Sequence, residues 1–348
     1  MRLKSIKSTL ESLLPTKQPV ILWGPPGVGK SQIIAQTAKA MGIDLIDVRA
    51  VLLDPVDLRG LPHVENGVAN WAVPGFLPKQ GTTKPGILLL DEIDKAPPLV
   101  QNACLQLTLD RQIGEYVLPT NWYVMAAANR IQDGAGGHKM GTALSSRFLH
   151  LDVDVHKEDW LEWATNAGIH GSILGYVGWK GESVLHPHGE KKNGKRKLTT
   201  DQDRTFPCPR TWEFVSRVVD EVPASSIREV VAGCIGSSTT AEYLTFLEIY
   251  RQLPDPEALL ADPDNAVMPT EAHVLFALTG FLAEKLPDAN DELISRIIKL
   301  IRRMPQEYSV NGLFSCVGSN PKMVRNKEVS RWFEEEPKVC NMILQSAS

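Results

Sequence analysis

Three short stretches carry side chains whose types and spacing suit one kind of chemistry. The first is Gly24-Pro25-Pro26-Gly27-Val28-Gly29-Lys30-Ser31, with Gln32 behind it. Glycines let backbone N–H groups close around a phosphate chain, and a helix N-terminus adds partial positive charge. Lys30 is then placed for β- and γ-phosphates, and the Ser31 hydroxyl for Mg²⁺. The second is Ile87-Leu88-Leu89-Leu90-Asp91-Glu92, an apolar run ending in two carboxylates. Asp91 can hold Mg²⁺ directly or through water, and Glu92 can polarise an attacking water. The third, Tyr123 to Asn129, is an apolar run capped by a side-chain amide. Asn129 either holds that water in line beside Glu92 or simply turns the chain.

Such groups converge only if each sits at the end of a strand in one sheet. The sequence predicts strands at Val20–Trp23, Leu45–Val48, Gly86–Leu90, Tyr123–Ala127 and Phe148–Val153, and helices at Ser31–Met41 and Leu99–Leu109. Alternation of this kind predicts an α/β domain with a parallel sheet, whose carboxyl ends gather the three motifs. Two excursions interrupt it. Gly60 to Pro78 is turn-rich, with Asn66-Gly67 as a hairpin signal, and Arg111 to Pro119 is a second hairpin around Gly114. After about His156 the pattern is helical: Asp159–Asn166, Thr211–Val219, Thr239–Gln252, Glu271–Leu286, Asn290–Met304 and Glu328–Leu344. Between them, residues 186–204 have almost no apolar content and are expected to form a mobile basic loop.

Bulk properties exclude several classes. The 348 residues carry 37 basic and 41 acidic side chains, a net charge of −4, so no global field favours nucleic acid or anionic lipid. Five widely spaced cysteines, without a C-x-x-C pair, are expected as reduced thiols of a cytoplasmic protein. The N-terminus lacks a signal-peptide h-region, and no run is long enough for a membrane span.

The order of motifs resembles that of AAA+ ATPases, with Walker A at Gly24–Ser31, Walker B at Ile87–Glu92 and sensor 1 at Asn129. More narrowly, it looks like the MoxR-like group of the helix-2-insert clade. The stretches that carry this are DPVDLRGLP at 54–62, LDRQIGEYVLPTNWYVMAAANR at 109–130, ALSSRF at 143–148 and FPCPRTWEFVSRV at 206–218. The resemblance implies a P-loop core with sheet order 5-1-4-3-2 over about 1–155. A helical lid over 156–252 and a C-terminal helical extension over 253–348 would follow. Residues 54–78 would be the helix-2 insert and 111–119 the pre-sensor-1 hairpin. It further implies binding of ATP and Mg²⁺, with Gly24 to Gln32 and Asp91 holding nucleotide and Ser31 and Asp91 the metal. Hydrolysis would use Glu92, Asn129, Arg147 and Arg210. Arg147 would be supplied in trans within a homo-oligomeric, hexameric ring, and Arg210 would be sensor 2. The task implied is chaperone-like remodelling with a separate von Willebrand factor A domain partner. A nucleic-acid motor and a slow, nucleotide-switched scaffold are the alternatives.

Several residues have a plainer reading beside the functional one. Arg147 can pair with Asp152 or Asp154 on its own strand, and Arg210 with Glu213. Arg130 is a surface or an interface residue. Arg111 is a solvated hairpin charge or a neighbour's contact. Trp71 and Phe76 face a pore or pack beneath their hairpin. Lys191, Lys192, Lys195, Arg196 and Lys197 form a solvated loop or touch nucleic acid or an acidic partner. His170, His186 and His188 lack a metal-ligand pattern.

Overall fold

A computed structural model of the chain describes residues 1–348 except 131–132, 134–139, 187–190, 193–194, 197–204, 254–255, 321–322, 324 and 338–348. It divides into two compact units, residues 1–154 and 155–348.

The first unit is built on strands whose composition dictates burial on both faces. β5 (Gly86–Asp91) is buried from Gly86 to Leu90, and β8 (Trp122–Ala128) is buried at all but one position. β1 (Val20–Trp23) lies beside β8. A continuous apolar run is what a central parallel strand needs. The edge strands, β2 (Asp44–Arg49) and β9 (Leu149–Asp152), are more exposed. All five run parallel in the order β2-β5-β8-β1-β9. Numbered by themselves along the chain, they read 5-1-4-3-2, the order that the resemblance implied. Trp23 is level with Ala128, and Leu90 with Ala126. The residues that follow β1, β5 and β8 therefore emerge together at one edge of the sheet.

Helices α2 (Lys30–Met41) and α4 (Pro98–Leu109) follow the patterning closely. Proline in the first turn of α4 costs no hydrogen bond, since that N–H has no helical partner. Helix α1 (Leu3–Leu13), for which the sequence reading named no element, packs on α2 and buries Ile6 and Leu10. Both hairpins are present. After α3 (Pro55–Arg59), β3 (Leu61–Glu65) pairs antiparallel with β4 (Val68–Ala72). Asn66 and Gly67 both take positive φ, 54° and 78°, as a two-residue turn matched to strand twist requires. β6 (Gln112–Ile113) pairs with β7 (Tyr116–Val117) around Gly114. Phe76 packs against the core of this unit, while Trp71 is exposed, so the two aromatics of the first excursion part ways. Helix α5 (Thr142–Ser145) leads into β9.

The second unit is helical: α6 (Lys157–Asn166), α7 (Gly171–Lys180), α8 (Pro209–Val218), α9 (Ile227–Ile235), α10 (Ser237–Arg251), α11 (Pro256–Ala261), α12 (Ala272–Glu284), α13 (Asp291–Arg302), α14 (Gln306–Ser319) and α15 (Lys327–Glu335). Tyr176, Trp212, Tyr243 and Phe246 form its aromatic centre, with edge-to-face and tilted contacts between 5.3 and 5.6 Å. Within the stretch expected as a loop, β10 (Lys191–Lys192) and β11 (Lys195–Arg196) form a short antiparallel ladder. His188 and Lys197 lie outside the described residues. Helices α12 and α14, from the expected C-terminal extension, pack on α7 and α6 of the expected lid.

The sequence reading missed α7 because Gly171, Gly175 and Gly178 weaken a helical pattern. Packing explains them. A Cβ on Gly280 of α12 would lie 2.3 Å from the Gly171 carbonyl and 2.7 Å from the Gly175 amide. The two backbones touch, and only hydrogen fits between. Gly280→Ala should therefore destabilise by roughly 1–3 kcal/mol. Thermal denaturation should show a melting temperature lower by about 2–4 °C per kcal/mol. An unchanged melting temperature would show that the helices can separate at no cost.

Candidate functional site

The glycine-rich loop joins β1 to α2, and Gly29, with φ of +96°, sits at the helix N-cap. The first helical residue, Lys30, turns its side chain back under the loop. Its ammonium donates to the Gly24 carbonyl at 2.9 Å, the Pro25 carbonyl at 3.0 Å and Asn129 Oδ1 at 2.8 Å. Only 8% of Lys30 is exposed, and burial lowers its pKa from 10.5 to about 8, against the opposing pull of Asp91, Asp94 and Asp133. All three ammonium protons thus point at acceptors, as a buried charge demands.

Ser31 Oγ donates to Asp91 Oδ2 at 2.7 Å, so residues sixty positions apart in sequence meet at the sheet edge. Adjacent ligands of an octahedral Mg²⁺ with bonds of 2.0–2.1 Å lie about 2.9 Å apart. Two hard oxygens at nearly that spacing fit such an ion. Asp91 Oδ1 accepts from the Glu92 amide at 2.9 Å, which fixes the carboxylate. Glu92 itself takes a left-handed backbone, φ 54°, unusual for a side chain of its size. Its carboxylate is partly exposed and lies 3.4 Å from Lys95. Asn129 is 6% exposed, and its Oδ1 is committed to Lys30. The three sequence motifs therefore converge, but the bond found for Asn129 is to the lysine rather than to Glu92.

The arginines separate. Arg130 binds Asp133 at 2.9 Å, Asp152 at 3.4 Å and Asp154 at 3.5 Å. It thereby occupies the two carboxylates that a local pairing of Arg147 would need. Arg147 donates to the Ala143 carbonyl, and its buried Nε has no partner. Among the described residues no carboxylate lies within ion-pair distance of it. The ladder between β1 and β9 pairs Val20 with Leu149, so Arg147 is level with Gln18, whose side-chain amide bonds the Arg147 carbonyl at 3.3 Å. At about 3.3 Å per residue, the loop starting at Gly24 is roughly 20 Å further along the strand. Arg147 thus stands at the amino edge of the sheet, beyond reach of its own phosphate loop. Arg111 is neither solvated nor free: it bonds the carbonyls of Pro119 at 2.8 Å and Trp122 at 2.7 Å.

Arg210 lies in the second unit, exposed in the first turn of α8. Glu213, its alternative partner, is taken by Arg217. Thr211 Oγ1 accepts from the Cys208 amide at 2.8 Å and fixes the helix start. Among the described residues Arg210 has no ion-pair partner, and a cation in a first helical turn opposes the helix dipole, so the contacts described there do not account for it.

Sequence reasoning missed two neighbours of this site. Asp94 is 1% exposed, and burial pushes its carboxyl above the usual range; its signal was a third carboxylate two residues after Glu92. His150 bonds Trp23, the residue before the loop, at 2.8 Å; its signal was an imidazole between Phe148 and Asp152 on one face of an edge strand. His156, Glu158 and Glu182 of the second unit have donor atoms within 4.8 Å of one another, but they are partly exposed, and Lys157 lies 3.9 Å from Glu158. His170 caps α7 through its bond to the Ser172 amide.

Residues 19–148 match the AAA domain family, dynein-related subfamily. Chaperone MoxR1 of Mycobacterium tuberculosis is 29% identical over 141 residues, 39% of this chain and 36% of that protein. The chain carries an AAA domain. Midasin of Giardia intestinalis is 31% identical over 157 residues, 42% of this chain and 3% of that protein. The chain thus spans 36% or less of the curated relatives it matches. Among solved structures, the RuvB Holliday junction branch migration motor of Thermotoga maritima is 17% identical, with a TM-score of 0.37, covering 84% of this chain and 85% of that one. In NtrX from Brucella abortus in complex with ATP, the values are 15%, 0.38, 97% and 67%.

The lowered pKa of Lys30 gives this AAA+ domain a pH signature. Below pH 8 the ammonium is charged and attracts phosphate; as pH rises through about 8 the free site loses that charge. Affinity for ADP in chelator should be flat at lower pH and weaken by up to about tenfold per unit above 8. Calorimetry between pH 6.5 and 9.5 checks it, and Lys30→Met should abolish the step. Affinity constant across that range would show that Lys30 stays protonated.

Proposed function

We propose that the chain is a Mg²⁺-dependent ATP hydrolase that works as an oligomer and remodels other proteins. The 2.7 Å contact between Ser31 and Asp91 carries the reading, because it joins the end of β5 to the phosphate loop in the geometry a hard cation needs. Mg²⁺, when bound, neutralises charge on the β- and γ-phosphates. Backbone amides of Gly24 to Ser31 and the Lys30 ammonium hold the phosphates, and Gln32 extends the first helical turn around them. Glu92 orients water for attack on the γ-phosphorus. A new P–O bond forms, the bond to the bridging oxygen breaks, its electron pair leaves with ADP, and the water proton passes towards Glu92. The exposed pair between Glu92 and Lys95 is weak enough to open for this. Asn129 aligns the lysine and the end of β8.

Arg147 serves a neighbouring subunit. Its separation from its own loop and its lack of a carboxylate partner among the described residues support this role. Arg210 reports nucleotide from the helical unit, and its place in a first turn without an ion-pair partner among the described residues supports that role. A ring, most simply a hexamer, satisfies both. A polypeptide target agrees with the β3–β4 hairpin, which exposes Leu61, Val64 and Val68 by 65, 76 and 60% and has no lysine or arginine. A nucleic-acid track would call for basic residues there. A separate von Willebrand factor A domain protein is the proposed partner, sought by co-purification in ATP.

Glu92→Gln should bind ATP normally and lose roughly 10²–10⁴-fold in steady-state turnover. Arg147→Ala should also bind ATP and melt normally, yet lose roughly 10³-fold or more in turnover. Normal hydrolysis by Glu92→Gln would remove Glu92 from its role; normal hydrolysis by Arg147→Ala would leave the arginine as a surface residue.

A further inference from the structure

His150 lies between the two ends of this machinery. Trp23 is the last residue before the phosphate loop, and its indole Nε1 donates to His150 Nδ1 at 2.8 Å. The rings lie almost parallel, 6° between planes and 5.9 Å between centroids, as an in-plane N–H···N bond favours. The other ring nitrogen lies 2.8 Å from the Ser145 carbonyl. An indole can only donate, so Nδ1 must accept and Nε2 must carry the proton, which it gives to Ser145. One neutral tautomer satisfies both contacts.

Ser145 is two residues before Arg147 and closes the short helix that presents it. Its carbonyl also accepts from the amide of Phe148 at 3.2 Å, and Phe148 is buried in the core. Arg147 is therefore bracketed by two fixed residues. With no ion pair to aim it among the described residues, its guanidinium goes where this turn points. The backbone ladder already secures β9 to β1. The histidine is exposed and adds little burial. Its two directional bonds are thus surplus to holding the strand, and they act on the turn.

We propose that His150 is a positioning residue for Arg147, tying the turn that carries the arginine to Trp23 at the entrance of the phosphate loop. It sets how Arg147 is presented to a neighbour and couples that presentation to the loop of its own subunit. The inference rests on the reading of Arg147 as acting in trans.

Subunit mixing tests it. Lys30→Ala removes a subunit's own pocket but keeps its arginine; Arg147→Ala keeps the pocket and removes the arginine. Mixed, the two should hydrolyse ATP well above either alone. Adding His150→Ala to the arginine-donating subunit should then lower the complemented turnover roughly tenfold or more, since small misplacements of a charged group cost that much. The same change on the pocket-bearing subunit should have the smaller effect. His150→Gln on the donor, which keeps an amide donor and acceptor, should recover part of the loss and covers the case in which His150→Ala folds poorly. Equal loss on either subunit, or no loss, would overturn the proposal. Failure of the parent pair to complement would instead refute the trans reading, and the proposal with it.

Discussion

The buried ammonium of Lys30 is the constraint around which the first unit is arranged. A charge taken out of water must be met by acceptors, and here three are supplied by two different chain segments. Two come from the loop after β1 and one from the residue after β8. Those segments can meet only if β1 and β8 are parallel neighbours in register, which places Trp23 level with Ala128. The buried runs of β5 and β8 are the apolar support for that register. Asp91, Asp94 and Asp133 then provide the negative potential that partly offsets burial of the lysine.

On the proposed trans role of Arg147, the same register leaves the site incomplete in one subunit. Parallel strands send every carboxyl end to one edge and every amino end to the other. The phosphate loop, Asp91 and Asn129 are on the first edge. Arg147 precedes β9 and is on the second, beside Gln18. No side chain spans that distance. The proposed oligomer would resolve the separation by presenting one subunit's amino edge to another's carboxyl edge. Arg130 contributes indirectly: it engages Asp152 and Asp154, and Arg147 has no carboxylate partner among the described residues.

Legibility in the sequence followed how far each feature depended on local chemistry. β1 was read to the residue, and β5, β8, α2 and α4 nearly so, because buried runs and proline or glycine punctuation are local signals. The Asn66-Gly67 turn was legible for the same reason. The phosphate loop and the two carboxylates were legible because their spacing is itself the chemistry. Helix α7 was not, since its glycines answer to the backbone of α12, over a hundred residues away. Asn129 was placed at the right strand end, but its bond to Lys30 depends on a side chain turning back under the loop. His150 was passed over because nothing in an edge strand announces a partner on the next one.

The central claim is that turnover belongs to the assembly. Dilution of the wild-type protein in ATP and Mg²⁺, with molar mass by light scattering and phosphate release measured on the same samples, tests it most directly. Specific activity should track the oligomeric fraction and vanish in the monomer. A monomer that hydrolyses ATP at the undiluted rate would contradict the account.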